Sequence, residues 1–416
     1  MKHVGIVGGG IIGLSSAYYL RKAGFAVTVF DQGSFDEGCS FGNAGMIVPS
    51  HFVPLAAPGM VAKGIRWMFD STSPFYVRPR LNLSLLGWGV KFYRHANRRH
   101  VERSMPALSA LSLFSKLRYR ELATELPFDF GYHERGLLML FQDAAIEHEE
   151  QETAHLAGTL GIEARMLSLA EIQSMEPDVR VSARGGAYYP GDAHLTPSAL
   201  LSGWIGHLKQ LGVAFEGNAH VHDFIHDAGK VREIRTTRGL FPADLWVVAG
   251  GSWSGWLSSA LGLHLPLQAG KGYSFTLKDV QKNTRIPTIF LEARVAVTPM
   301  GRDLRFGGTM EISGINHTVN MNRVKGIVNS IRRYYPDMEV AVPEPGKVWH
   351  GLRPCSPDGL PYIGYTRRRK NVIVATGHAM MGLSLGPGTG KIVCDLAEGK
   401  EPEVDLTLFD PDRFDR

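Results

Sequence analysis

The chain opens with a short apolar run, His3–Val7, long enough for one buried strand. Three glycines and two isoleucines follow. Then comes LSSAYYLRKAG, where Leu14, Ala17, Tyr18 and Leu20 are available for packing and Gly24 ends the helical pattern. Ala26–Phe30 is again apolar and predicts a second strand that runs into Asp31. Two later runs, residues 244–251 (DLWVVAGG) and 371–376 (NVIVAT), also read as buried strands. After the second, a glycine-rich turn extends over residues 377–388, and a helix is predicted from about Thr389. Residues 81–126 carry long helical patterns, residues 266–312 alternate as strands do, and no internal repeat is apparent.

The strand–glycine–helix–strand order at the start carries chemistry. Gly8, Gly10 and Gly13 form G-x-G-x-x-G. Gly8 makes the tight turn, Gly10 lets a pyrophosphate approach the backbone, and Gly13 lets the helix lie close to the strand. The helix start, with Ile11 and Ile12, then offers unpaired N–H groups and a positive dipole end. Asp31, 18 residues after Gly13 and followed by Gln32, can accept hydrogen bonds from ribose hydroxyls. These residues are expected to hold a dinucleotide. The motif alone does not choose between NAD and FAD.

The 416 residues, 44% hydrophobic and 20% charged, suffice for two or three domains and exclude a disordered or fibrous chain. Three cysteines, Cys39, Cys355 and Cys394, without a CxxC pair argue against a disulfide framework or a zinc site and make a reducing cytosol the default. The formal charge of +5 permits an anionic partner without demanding one. No run of 18 apolar residues exists, and the N-terminus lacks a cleavage site, so it is expected to be retained.

Residues 38–46 (GCSFGNAGM) are small and polar, as in a loop laid along an extended ligand. With the glycine motif, this segment resembles the glycine oxidase and D-amino-acid oxidase superfamily of FAD enzymes, nearest to the bacterial D-amino-acid dehydrogenase group. The similarity covers nearly the whole chain. It implies an α/β fold: a Rossmann-type FAD-binding domain interleaved with an α+β substrate domain on a mixed or antiparallel sheet. It carries over Cys39, Ser40, Asn43, Ala44, Gly45 and Met46 as contacts of the ribityl chain and flavin. It adds Val221 for the adenine, Ala249, Gly250 and Trp253 after the 244–251 strand, and Gly377, His378, Met381, Gly382, Leu383 and Ser384 near the flavin edge. A turn histidine bonded to backbone is the alternative for His378. Some relatives hold FAD through a cysteine thioether; the matching position is Gly351, so FAD is expected to be non-covalent.

On the substrate side, G-L-R-P at 351–354 resembles the family's strand whose arginine binds the substrate carboxylate, which makes Arg353 the expected anchor. Tyr273, in GKGYS, is expected to add its hydroxyl to the carboxylate, with a core tyrosine as the alternative. Lys271 stands beside it, and His51 is expected to line the pocket. Arg353, Tyr273, His51 and His378 form the expected catalytic set. The implied reaction is hydride transfer from the substrate carbon to flavin N5, giving an imine and then a 2-oxo acid. The substrate is a D-amino acid or a D-imino acid such as D-proline or D-hydroxyproline. A glycine or sarcosine oxidase-type enzyme is the first alternative, and a tRNA-modifying flavoenzyme is one of another class. No metal site and no nucleic-acid partner are expected.

The motifs place the FAD-binding domain at residues 1–80, 190–265 and 345–416, and the substrate domain at 81–189 and 266–344. Residues 60–103 carry nine basic residues against Asp70 and Glu102, interleaved with aromatics. That pattern suits an anionic membrane surface and a membrane quinone as electron acceptor, with oxygen as the other acceptor. A helix with buried aromatics and solvated arginines is the bland alternative. The expected location is cytoplasmic, with peripheral contact on the inner membrane face.

Overall fold

The computed structural model describes residues 1–67, 73–80 and 82–415, except the side chains at 63 and 65–67. His3–Val7 lies inside a six-stranded sheet. It pairs in parallel with Ala26–Phe30 on one side and Leu245–Val248 on the other. Ala214–Glu216 and Val372–Thr376 extend the parallel sheet, and Tyr362–Tyr365 closes one edge antiparallel. These strands are apolar throughout because both faces are covered. Val4 and Ile6 meet the helices Ile11–Lys22, Pro197–Gln210 and Gly382–Glu398. Val7, Trp246 and Val248 meet a three-stranded antiparallel sheet formed by Val221–Asp227, Lys230–Thr236 and Gly239–Pro242.

A nine-stranded sheet forms the second layer. Its path runs Trp349–Cys355, Gln268–Leu277, Asp303–Ile312, Val295–Met300, Thr288–Phe290, Leu137–Phe141, Gly185–Tyr189 and Arg165–Ser168, and Phe75–Val77 pairs beside Asp303–Ile312. The amphipathic helix Met321–Tyr334 covers it with Val324, Ile327, Val328 and Ile331. The Arg353 strand, Trp349–Cys355, therefore belongs to the second sheet, although sequence order groups it with the nucleotide-binding segments. Phe75–Val77 does the same.

The C-terminal helix starts at Gly382, not near Thr389. Its glycines read as a turn in isolation, but they are packing positions. A Cβ on Gly386 would stand 2.7 Å from Ile11, on Gly388 2.8 Å from Ser115, and on Gly390 2.5 Å from the Ser15 backbone. Close contact with Ile11–Lys22 and with Arg98–Glu125 fixes a helix that local propensity alone disfavours.

The basic stretch begins with the helix Met60–Trp67 and the strand Phe75–Val77 and continues in the helices Leu83–His95 and Arg98–Glu125, the last two N-capped by Asn82 and Asn97. Trp88 is buried and donates to the Cys355 carbonyl, and Phe92 stacks on it. These aromatics thus face inward. The outward stripe is Leu83, Leu86, Val90 and Tyr93, exposed by 87, 57, 53 and 71%. Phe69 and Asp70, and the side chains of Lys63, Arg66 and Trp67, lie outside the described residues.

Candidate active site

One cavity of about 1470 Å³ runs from the first glycine loop, between the two main sheets, to Arg353. At its phosphate end Gly8 has φ +116°, and a Cβ there would stand 2.4 Å from the Ala249 carbonyl. Gly10 caps the helix Ile11–Lys22 without a side chain of its own and without an acid in the first turn, so apart from Ile11 N, which donates to Ser40 Oγ, the helix start faces an anion with its positive end. Gly13 is off the cavity wall. A Cβ there would stand 1.8 Å from the Gly8 carbonyl, so this glycine seats the helix. Asp31 accepts from Gly9 N at 2.7 Å and Gly33 N at 2.8 Å and lines the cavity beside Gln32.

Val221, Ala249, Gly250 and Trp253 line the next stretch. Trp256 and His220 join them, their rings 5.7 Å apart; the sequence reading missed both. Cys39, Ser40, Asn43, Ala44 and Met46 form the loop wall. Ser40 Oγ accepts from Ile11 N, and Arg305 donates to the Asn43 and Phe41 carbonyls, so the loop is clamped between the first helix and the nine-stranded sheet. Gly45 is not on the wall; its φ of +79° turns the chain beneath Leu195. Met381, Gly382 and Leu383 bring the start of the C-terminal helix to the cavity. Gly377, at φ +80°, makes the preceding turn, and Ser384 Oγ accepts from Val48 N; neither lines the cavity. These two and Gly13 and Gly45 correct the expected contact set, because they support the wall from behind.

This run of glycine-lined groove, open helix start and long polar loop fits FAD from adenine to flavin. The Trp349 indole lies over Gly42 and Gly351, where a Cβ would stand 2.0 and 2.1 Å from it, so position 351 has no room for a side chain.

At the far end Arg353 is half-buried, and desolvation lowers the guanidinium's pKa from its usual range. Its Nη1 donates to the Thr309 carbonyl, and among the described residues no carboxylate pairs with it. A half-buried cation without a carboxylate beside it favours an anionic ligand. Arg353, Gly270 and Gly272 share one face of the sheet, since Gly270 pairs with Arg353. Tyr273 and Lys271 lie on the opposite face. The Tyr273 hydroxyl donates to Glu311 at 2.9 Å and accepts from Asn320 N, in the core under Met321–Tyr334. This corrects the expected role: Tyr273 lines the cavity, but its hydroxyl is not presented to a carboxylate at Arg353. Lys271 is buried too, paired with Glu311 at 3.3 Å and donating to Asn316 and Thr318.

His51 lines the cavity, and burial followed by the charge of Arg294 lowers it to about 4, so it is neutral. Its Nδ1 lies 3.1 Å from Ser50 Oγ, which donates to the buried Asp192. His378 also stays neutral, lowered to about 3 by burial, and its Nε2 lies 3.0 Å from Thr389 Oγ1. That partner ties the imidazole to the C-terminal helix, a wall role in place of the expected catalytic one. Glu150 and Arg294 also line the cavity; nothing in their local sequence signals it.

Comparison with known proteins agrees with this geometry. The family of FAD dependent oxidoreductases designated DAO matches residues 3–396. The D-amino acid dehydrogenase of Bradyrhizobium diazoefficiens is 32% identical over 422 aligned positions, covering 98% of each chain. That of Granulibacter bethesdensis is 33% identical over 413, covering 96% of each. Among solved structures, glycine oxidase from Geobacillus kaustophilus superposes with TM-score 0.78 at 24% identity, over 99% of each chain. L-proline dehydrogenase from P. horikoshii gives 0.78 at 16%, over 100% of this chain and 98% of that one.

Proposed function

The chain belongs to the FAD dependent oxidoreductase (DAO) family, and from that premise we propose that it oxidises the Cα–N bond of a D-amino acid or a D-imino acid such as D-proline or D-hydroxyproline. It is an FAD enzyme of the amino acid dehydrogenase and oxidase class. The observation that carries the finer reading is Arg353: a half-buried guanidinium that has no acidic partner among the described residues and opens on the same cavity as the FAD groove.

FAD, held by the Gly8–Gly10 turn, Asp31, the 39–46 loop and the start of the C-terminal helix, would supply the hydride acceptor. The chain's own residues do the rest. Arg353 grips the substrate carboxylate with its planar fork and so fixes which bond faces the flavin. Ser50 donates its proton to Asp192, so its oxygen accepts from His51 Nδ1–H. This assigned tautomer leaves the Nε2 lone pair as an acceptor on the cavity wall, suited to the substrate's ammonium. Met46, Val48 and Leu291 keep that part of the wall apolar. Water then hydrolyses the imine, to a 2-oxo acid and ammonia from a D-amino acid, or to a ring-opened amino-2-oxo acid from a cyclic D-imino acid. The Trp349 indole fills the space a side chain at position 351 would need, which favours non-covalent FAD.

The acceptor is oxygen or a membrane quinone, and one surface favours the quinone. The helix Leu83–His95 packs Trp88, Leu85 and Phe92 against Met310 and Phe75, both on the cavity wall, and turns Leu83, Leu86, Val90 and Tyr93 outward. Lys91, Arg94, Arg98, Arg99 and Arg103 flank that stripe, and no acid occurs in residues 71–101. An apolar stripe edged with arginine matches an anionic bilayer surface. Among the described residues no helix is long and apolar enough to cross a membrane.

Anaerobic mixing of the yellow enzyme with D-, L- and N-methyl amino acids tests the substrate reading. Bleaching by D-amino or D-imino acids supports it; bleaching only by glycine or sarcosine assigns the oxidase-type alternative. Arg353→Ala is expected to keep its FAD and lose the bleaching. Unchanged bleaching removes Arg353 from its role.

A further inference from the structure

Resting on Arg353 as the carboxylate anchor, we propose that Thr309 is a positioning residue whose strained backbone aims a carbonyl at the Arg353 guanidinium. Between Gln268–Leu277 and Asp303–Ile312 the register runs Lys271 to Glu311 and then Tyr273 to Gly308. Two residues, Thr309 and Met310, therefore oppose the single Gly272, which is a β-bulge. The bulge is on the Thr309 side, because pairing between Gln268–Leu277 and Trp349–Cys355 is unbroken.

Thr309 has φ +70°. A β-branched residue in the left-handed region is a true outlier, held only where its surroundings over-determine it. They do so here. Met310 N donates to the Pro74 carbonyl at 2.7 Å, and Met310 pairs with Phe75 in the neighbouring strand. Gly308 packs its backbone against Ile327. The turned peptide sends the Thr309 carbonyl to Arg353 Nη1, while Gly272, opposite the bulge, leaves space for Nη2. One donor edge of the guanidinium is thus occupied from the bulge, and the rest is available to a carboxylate.

The test uses the FAD-loaded enzyme and calorimetric binding of benzoate, a carboxylate that cannot be oxidised. Thr309→Gly keeps the left-handed backbone without its strain; it is expected to bind benzoate within about twofold of wild type and to melt at a higher temperature. Replacing the 309–310 amide by an ester, through an α-hydroxy acid at 310, weakens the Thr309 carbonyl acceptor and removes the Met310 N–H that ties the same bulge to Pro74. It is expected to weaken benzoate about tenfold at unchanged FAD content, and to raise KM more than it lowers kcat. Arg353→Ala is the reference and is expected to abolish binding. If the ester form binds benzoate like wild type while Arg353→Ala does not, the role of Thr309 is overturned and that of Arg353 stands. Lost binding in Thr309→Gly also overturns it, by shifting the role to the side chain. Normal binding in Arg353→Ala overturns the anchor itself.

Discussion

Gly272 is the seat of the Arg353 guanidinium: a Cβ built on it would stand 2.3 Å from Nη2 and 2.5 Å from Cζ. The contact is side chain to backbone across adjacent strands, and it makes a glycine in a strand interior a functional residue. Gly272→Ala is expected to push the guanidinium aside and raise KM for the amino acid about tenfold or more, since a displacement of this size misaligns a two-bonded carboxylate. FAD content and the melting temperature should change little. Steady-state kinetics with FAD quantified by absorbance checks this, and an unchanged KM refutes the seat.

Flavin release reports on position 351. With the Trp349 ring over Gly351 and no cysteine there, acid or heat is expected to leave a yellow supernatant above colourless protein. Colour retained on the washed precipitate would show a covalent link.

The outward stripe of Leu83–His95 is open to a direct trial. Leu86→Glu with Val90→Glu is expected to cut co-sedimentation with anionic phospholipid vesicles at least tenfold, with bleaching by substrate unchanged. Equal sedimentation of variant and wild type removes the bilayer as occupant of this face.

Stability should fall as pH rises through the acidic range. Burial lifts the Glu150 carboxyl from 4.5 to about 7, so between those values the folded chain keeps a proton that the unfolded chain has lost. Glu150→Gln can still accept from the Tyr189 hydroxyl, which now bonds Glu150 at 2.8 Å. It should reduce the loss of stability between pH 4.5 and pH 8 by up to about 3 kcal/mol. Asp192 and Glu176, also lifted to about 7 by burial, maintain the remaining slope. Urea unfolding at the two pH values measures the difference; parallel slopes for variant and wild type would falsify the assignment.

Much of the nucleotide side was legible from residue order because its signals are local. The His3–Val7 and Ala26–Phe30 strands, the turn at Gly8 and the polar loop at 38–46 each show in a few neighbouring residues. The residue pattern also marked Arg353, through the short segment around it. What a residue does once marked was less legible. Tyr273 and Arg353 sit on strands paired to each other, yet strand alternation sends their side chains to opposite faces.

The amino-acid sequence by itself thus determined the fold class and the nucleotide groove and, through resemblance to a known family, pointed to FAD and to Arg353. Only the tertiary structure decided that Gly386, Gly388 and Gly390 lie inside a helix, that Gly13, Gly45, Gly377 and Ser384 stand behind the cavity wall, and that Glu150 and Arg294 reach it. The physical reason is range. Backbone preference and apolar spacing act between near neighbours, whereas each of these outcomes depends on a contact with a residue far along the chain, which exists only once the sheets and helices have packed.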